Sequence, residues 1–217
     1  MQSHQLINQH SGVTEWYTDP RVTAAARCLF GGIDVDVASS PGANTVVGAN
    51  LYYSSPPFRV VGCLDGLPIR EYEDRGGLDR RWFGNVWMNC PFTSPERACA
   101  RNCRKKTCLK RQWHTATSLP GTGDWIKKLI RAYNDGDVKQ AITLNFAATS
   151  ETWFQPLLFW PQCFPSPRLQ FFTPEWKTVS GATKGTALTY IGRDLAGFAR
   201  AFEGFGQVKV HWQWGKD

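Results

Sequence analysis

Asn89-Cys90-Pro91-Phe92 is the stretch whose residue types and spacing could do chemistry. The Asn89 side-chain oxygen and the Cys90 backbone carbonyl can accept the two N–H bonds of a planar exocyclic amine such as that of adenine. The lone pair of such an amine is delocalised into its ring, so it is a poor nucleophile. Two acceptors draw the nitrogen toward tetrahedral geometry and ready it to attack a methyl group on a sulfonium centre. Pro91 fixes its own φ, so the Cys90 carbonyl keeps one direction. Phe92 offers a ring on which a base can stack once it has left the double helix. This in-line displacement requires neither a metal nor a covalent intermediate. Taken alone, Asn-x-Pro-Phe fits any turn after a strand, so its surroundings decide its meaning.

A second group is Cys99, Cys103, Cys108 and His114, spaced C-x3-C-x4-C-x5-H. That spacing is close to compact zinc sites. Four soft ligands in so short a window can organise a loop too polar to build its own core. The alternative, free thiols in a surface loop, leaves an oxidation liability. Cys90 belongs to the tetrapeptide and is set apart from these ligands. The chain has seven cysteines, an odd number, and Met1 to Leu6 lack a basic region followed by an apolar run. Reduced thiols or metal ligands are therefore expected rather than a disulfide framework.

Basic residues interleave with these ligands. Arg97, Arg101, Arg104, Lys105, Lys106, Lys110 and Arg111 occur with no acid among them, in a chain of formal net charge +7. The rest of the protein is balanced, and a one-sign segment of this kind predicts contacts with the phosphates of a polyanion, the alternative being a merely solvated basic loop. A third feature is Ile33-Asp34-Val35-Asp36-Val37-Ala38, which alternates apolar and acidic residues before Ser39-Ser40-Pro41-Gly42. Two acids in a strand fit an ordinary solvent-facing edge, yet open α/β sheets bind ligands at the carboxyl ends of their strands, where an Asp can accept from a ribose or an amine. The G-x-G-x-x-G spacing is absent.

The elements that must position these groups follow from periodicity and punctuation. Asp19-Pro20 starts a helix with Val22, Ala25, Ala26 and Leu29 on one face, and Gly31-Gly32 stops it. Residues 33–38 form a strand, and residues 44–53 a short helix ended by Pro56-Pro57. Cys63 to Leu67 is a turn, Glu71 to Arg81 is charged and exposed, and Asn85–Met88 is a buried strand. Asp124 caps a helix with Trp125, Ile126, Leu129, Ile130 and Tyr133 as its stripe. Residues 138–146 are the next strand. Residues 168–172 and 187–191 are two further strands. A helix carrying Leu195, Phe198, Ala199 and Phe202 follows, then a last strand in which Val208, Val210, Trp212 and Trp214 alternate. Trp82, Trp87 and Trp153 are expected in the core.

At 217 residues the chain suits one domain with a sizeable core. Residues 1–14 read as a flexible arm, and residues 15–217 as a single domain with a Cys-rich basic insertion over 95–122. No window approaches the ~18–20 apolar residues of a membrane span. A cytoplasmic protein with no membrane association and no obligate protein partner is expected.

The tetrapeptide resembles the Asp/Asn/Ser-Pro-Pro-Tyr/Phe motif of amino methyltransferases acting on adenine N6 or cytosine N4. Glu15-Trp16-Tyr17-Thr18, the 32–38 stretch, the 85–92 stretch, Thr149 to Phe154 and Arg168 to Phe171 occur in one order. That order resembles the phage-type DNA N-6-adenine methyltransferase family over residues 15–192. The resemblance implies S-adenosylmethionine as methyl donor and Asn89, Cys90, Pro91 and Phe92 as the catalytic motif. Trp16, Tyr17, Thr18, Asp34, Asp36, Ala38 and Ser39 would line the donor pocket. It also implies a class I methyltransferase (Rossmann-like) α/β fold, its sheet mostly parallel and finished by an antiparallel hairpin of residues 168–172 and 187–191. Cys90 stands where the family has its second Pro, a glycine-rich donor loop is missing, and the Cys-rich insertion is outside the family pattern. The residues leave open cytosine N4, RNA or protein glutamine as target, and a binding homologue with impaired catalysis.

Overall fold

The computed structural model describes residues 17–173, 175–179 and 184–210. Trp16, the expected 1–14 arm, and Trp212 and Trp214 lie outside them. Tyr17–Thr18 forms β1. Asp19 caps α1 (Pro20–Phe30), its carboxylate accepting the Arg21 N–H at 2.9 Å, and Gly31 ends the helix in the left-handed region. β2 (Ile33–Asp36) follows, then α2 (Pro41–Val47) and β3 (Ala49–Tyr52). The helix expected over residues 44–53 is therefore half strand. Ser40 accepts the Ala43 N–H and Pro41 takes the first helical position, which starts α2 early, and Gly48 stops it.

β4 (Phe58–Leu64) and β5 (Leu67–Tyr72) make a hairpin turning at Asp65-Gly66, both with positive φ. The turn was legible in the sequence; the strands on either side were not. β6 (Gly84–Met88) leads to the tetrapeptide, and α3 (Lys106–Arg111) and β7 (His114–Thr115) lie in the basic segment. α4 spans Thr122–Asn134. Asp124 sits inside its first turn, where its carboxylate accepts the Gly121 N–H at 2.8 Å. Then come β8 (Val138–Phe146), β9 (Gln162–Pro165), β10 (Phe171–Phe172), β11 (Thr178–Val179), β12 (Thr186–Ile191), α5 (Leu195–Phe202) and β13 (Gly206–Lys209).

The main sheet has seven strands in the order β13-β9-β12-β8-β6-β2-β3. Its β3, β2, β6 and β8 run parallel, whereas β8–β12, β12–β9 and β9–β13 pair antiparallel. This corrects the expected mostly parallel, Rossmann-like methyltransferase sheet: the sheet is mixed, with as many antiparallel as parallel pairings. The expected terminal hairpin does not form either. Phe171–Phe172 pairs with Tyr17–Thr18 and with β11 in a separate small sheet, while β12 lies between β8 and β9. Parallel neighbours need a crossover, usually a helix. α4 supplies one between β6 and β8. After β8 the chain has only a 3-10 turn, Gln155–Phe159, before β9, and α5 leads to β13, so β12 slots between them.

Strand alternation places the core on both faces of this sheet. Ile33, Trp87, Ile142, Leu144, Leu188 and Tyr190 pack with α1 and α5 through Val22, Ala26, Phe198 and Phe202. Val35, Val86, Met88, Cys90 and Ala141 pack on the other face with Trp125, Ile126 and Leu129 of α4. Trp82 and Trp87 are fully buried, as their sequence context suggested, while Trp153 is half-buried. A third sheet, β4-β5-β7, joins the hairpin to the basic segment through parallel pairing of Ile69 with His114 and Arg70 with Thr115.

Candidate functional site

Burial on both faces of β6 holds the tetrapeptide at the end of that strand. Cys90 points inward, and Asn145 at the end of neighbouring β8 donates to its sulfur at 3.8 Å. Thr143 orients Asn145 by donating to its side-chain oxygen at 2.7 Å. Burial pushes the Cys90 thiol up to about 12, so it stays neutral and is a poor nucleophile. Behind the motif, Thr122 in the first turn of α4 donates its hydroxyl to the carbonyls of Pro91 (3.0 Å) and Thr93 (3.2 Å). The Thr122 N–H also bonds Thr93 O at 2.8 Å. The helix terminus thereby takes up the carbonyls that follow Cys90.

In front of the motif, Asn89 donates its amide N–H to Thr18 Oγ1 at 3.1 Å. That contact leaves the other end of the amide, Oδ1, as acceptor. Among the described residues, neither Asn89 Oδ1 nor the Cys90 carbonyl has a hydrogen-bond partner. Phe92 lies against Phe146 of β8, ring centroids 4.4 Å apart and tilted by 46°. Lys184 sits 5.6 Å from the centre of the Phe146 ring.

The residues expected to line a donor pocket divide. Asp36 ends β2 opposite Trp87, is buried, and accepts the Ala38 N–H at 3.3 Å. Burial pushes its carboxyl up to about 6, against opposing hydrogen bonds from Ser39 and the Ala38 amide. Ala38 and Ser39 continue from it at the same end of the sheet, the Ser39 N–H bonding Tyr53 O at 2.8 Å. Tyr17 and Thr18 approach from β1. The Tyr17 hydroxyl lies so close to Gly42 that a Cβ there would collide with it. Asp34, by contrast, is at the other end of its strand. Its Oδ2 accepts the Asn85 N–H at 2.7 Å, and Asn85 in turn bonds the carbonyls of Phe30 and Gly32. Asp34 thus ties β2 to β6, while the Asn85 side chain ties β6 to the end of α1, and Asp34 is not brought to Asn89.

Cys99, Cys103, Cys108 and His114 converge. Their ligand atoms all lie within 4.8 Å of one another, with sulfur separations of 3.5 Å (Cys99–Cys108) and 3.9 Å (Cys103–Cys108). Sulfurs around one tetrahedral zinc ion at ~2.3 Å stand roughly 3.8 Å apart. Both ring nitrogens of His114 are buried without a hydrogen-bond partner. Leaving two such atoms dry is costly, and a cation at the centre of the cluster would take up one of them. The Lys105 backbone N–H draws the Cys103 thiol below its ordinary value, while burial pushes Cys108 up to about 12. The cluster can hold a metal ion, whose charge would displace the Cys108 proton.

The seven basic residues also divide. Arg111 pairs with Glu96 at 2.7 Å and covers the Trp113 ring at 3.8 Å, and Lys105 donates to Arg97 O at 2.7 Å and to Glu96 at 3.3 Å. These two brace the metal-ligand loop. Arg97, Arg101, Arg104, Lys106 and Lys110 are exposed and have no carboxylate partner among the described residues.

No protein-family model, curated protein or solved structure matches this chain. Among the described residues no helix is long and apolar enough to cross a membrane. Sequence reasoning missed Asn145, Thr122 and Phe146 as parts of the site, and it named Thr18 for the donor pocket rather than as the partner of Asn89. Asn145 carried a usable signal: it is the lone Asn at the end of an apolar strand, where a buried amide needs a partner. Thr122 carried none, because it meets Pro91 and Thr93 only through the tertiary fold.

Proposed function

We propose that this protein is an S-adenosylmethionine-dependent methyltransferase acting on the exocyclic N6 amine of adenine in DNA, and that its Cys/His cluster holds one structural zinc ion. The observation carrying the reading is the pair of unpaired acceptors, Asn89 Oδ1 and the Cys90 carbonyl, beside the Phe92 ring at a strand end. When bound, the donor supplies an electrophilic methyl on a sulfonium sulfur. Asn89 and Cys90 accept the two amine hydrogens and draw the nitrogen out of conjugation. Phe92, backed by Phe146, takes one face of the base. Transfer of that methyl would leave the donor as a neutral thioether, while Asn89 Oδ1 and the Cys90 carbonyl keep hold of the amine nitrogen. The surplus amine proton then leaves past Asn89 Oδ1 to solvent.

Thr18 and Thr122 hold this geometry fixed, which is where positioned acceptors gain their catalytic effect. The neutral Cys90 thiol, turned to Asn145, takes no part in bond making. Asp36, Ala38 and Ser39 form the polar end of the sheet that fits a ribose or amino group of the donor. The zinc reading rests on ligand softness and on the buried, unpaired His114.

Asn89→Ala tests the catalytic assignment. Transfer to DNA should fall by about a hundredfold or more, while donor binding measured by calorimetry stays within a few fold. Transfer at the wild-type rate would sink the assignment. Digesting the methylated DNA to nucleosides identifies the base: N6-methyladenine supports the reading, and N4-methylcytosine replaces it.

A further inference from the structure

We propose that Arg70, clamped between Phe58 and Trp113, is a preformed two-pronged donor that grips an acceptor pair of duplex DNA, either a guanine edge or a backbone phosphate. The inference rests on DNA being the partner, and it adds a recognition element remote in sequence from Asn89. β5 lies between β4 and β7 in its sheet. Phe58 reaches Arg70 from β4 and Trp113 from the residue before β7, so the two rings approach from opposite sides. The guanidinium carbon is 4.2 Å from the centre of one ring and 4.6 Å from the other. Tyr72 closes the cluster, 5.5 Å from Phe58 and 5.9 Å from Trp113.

Stacking holds a guanidinium by its faces, while its five N–H donors lie in the plane and point from the edge. Those donors have no hydrogen-bond or carboxylate partner among the described residues. The other arginines of this part of the chain behave differently. Arg59 pairs with Glu71, Arg75 with Asp79 and Arg80 with Asp74. Glu71 is next to Arg70 in sequence, yet strand alternation turns it to the opposite face, where it meets Arg59.

The sheet therefore has two unlike faces. Ile69, in register with His114, shares the side of the metal-ligand cluster, while Phe58, Val60, Arg70 and Tyr72 share the other. Val60 is 60% exposed and Phe58 44%, so the rim around Arg70 is apolar and open. Between Ser54 and Leu119 the chain has twelve Lys or Arg and six Asp or Glu, an excess that suits a polyanion. A charged group fixed by stacking gives up little conformational freedom on binding, and its fork matches a guanine O6/N7 pair or two phosphate oxygens. The exposed Arg97, Arg101 and Arg104 lack such a clamp and suit sequence-independent phosphate contact.

Arg70→Lys keeps the charge and removes the fork at a half-buried position. Wild type, Arg70→Lys and Arg70→Ala are compared without methyl donor against a pool of DNA duplexes randomised in sequence. The bound fraction is sequenced, and affinity is followed across salt concentrations. The expected result is a loss of about tenfold or more for both variants. Loss of preference at one G·C pair marks the guanine edge as the acceptor. A uniform loss, with the Arg70→Ala salt slope lower by about one, marks a phosphate. Variants that bind the pool with wild-type affinity and preference overturn the proposal, as does a wild type that binds no duplex. Because no donor is present, a failure of methyl transfer does not touch this outcome.

Discussion

Around Asn89 order comes from burial, and around His114 it comes from the cluster of ligand atoms. The tetrapeptide extends a strand packed on both faces by Trp87, Val86 and Met88, and Thr18, Thr122 and Asn145 lock its polar groups. The β4-β5-β7 body has no comparable core. All of β4 but its last residue is exposed, and the body's most buried side chains are Cys103, Cys108, His114 and Thr115. One region could keep its shape with nothing bound; the other is arranged around atoms that call for a cation. A site that must hold acceptors to a fraction of an ångström suits the first kind of support. A surface that meets a long, variable polyanion can use the second.

Metal removal should separate the two regions most sharply. Structural zinc contributes on the order of 10 kcal/mol to small Cys/His modules. Chelation should therefore raise amide hydrogen exchange in β5 and β7 by orders of magnitude while β8 stays protected. Unchanged exchange in β5 and β7, or less than one zinc per folded, unchelated chain, would break the contrast.

A smaller effect belongs to the sheet alone. Asp36 in the folded chain keeps its proton up to about pH 6, whereas an Asp in the unfolded chain ionises near 4. The folded state thus binds more protons between those values, so the residue's contribution to stability falls as pH rises from 4 through 6. Asp36→Asn should exceed wild type in stability by up to about 3 kcal/mol above that window. The gain should shrink toward pH 4, as read by denaturant unfolding at several pH values. A gain that ignores pH would remove Asp36 as its source.

The smallest change is Gly42→Ala. Its Cβ would run into the Tyr17 hydroxyl, at a cost of about 1–3 kcal/mol in overpacking. On the proposed function, S-adenosylmethionine affinity should drop with stability, while duplex binding through the β4-β5-β7 body holds. Equal losses in both would mean that the two regions are coupled.

Much of the local architecture was legible because it rests on local signals. Asp19-Pro20 and Gly31 bound α1, the alternation of Ile33 and Val35 marks β2, and residues 138–146 form β8 as their pattern indicates. Convergence of Cys99, Cys103, Cys108 and His114 was readable from spacing. Sheet order was not, because nothing within Ala187–Ile191 states that its neighbours will be β8 and β9 rather than Arg168–Phe172. β4 was hidden because Phe58 to Leu64 has no buried face to impose alternation. The division of the basic residues was hidden too, since only the position of Glu96 separates Lys105 and Arg111 from their exposed neighbours.

The parallel pairing of β5 with β7 carries one more consequence. Ile69 and His114 are far apart in sequence, and β6 with the tetrapeptide lies between them. Pairings of the main sheet such as Val35 with Val86 close longer loops but bury apolar side chains as they form, whereas the β5–β7 pairing has no such core to offset loop closure. The main sheet should assemble first and the β4-β5-β7 body after it, with metal uptake as the closing event. Incorporated metal would then count finished molecules during refolding, in a protein whose Asn89–Phe92 turn had already taken shape.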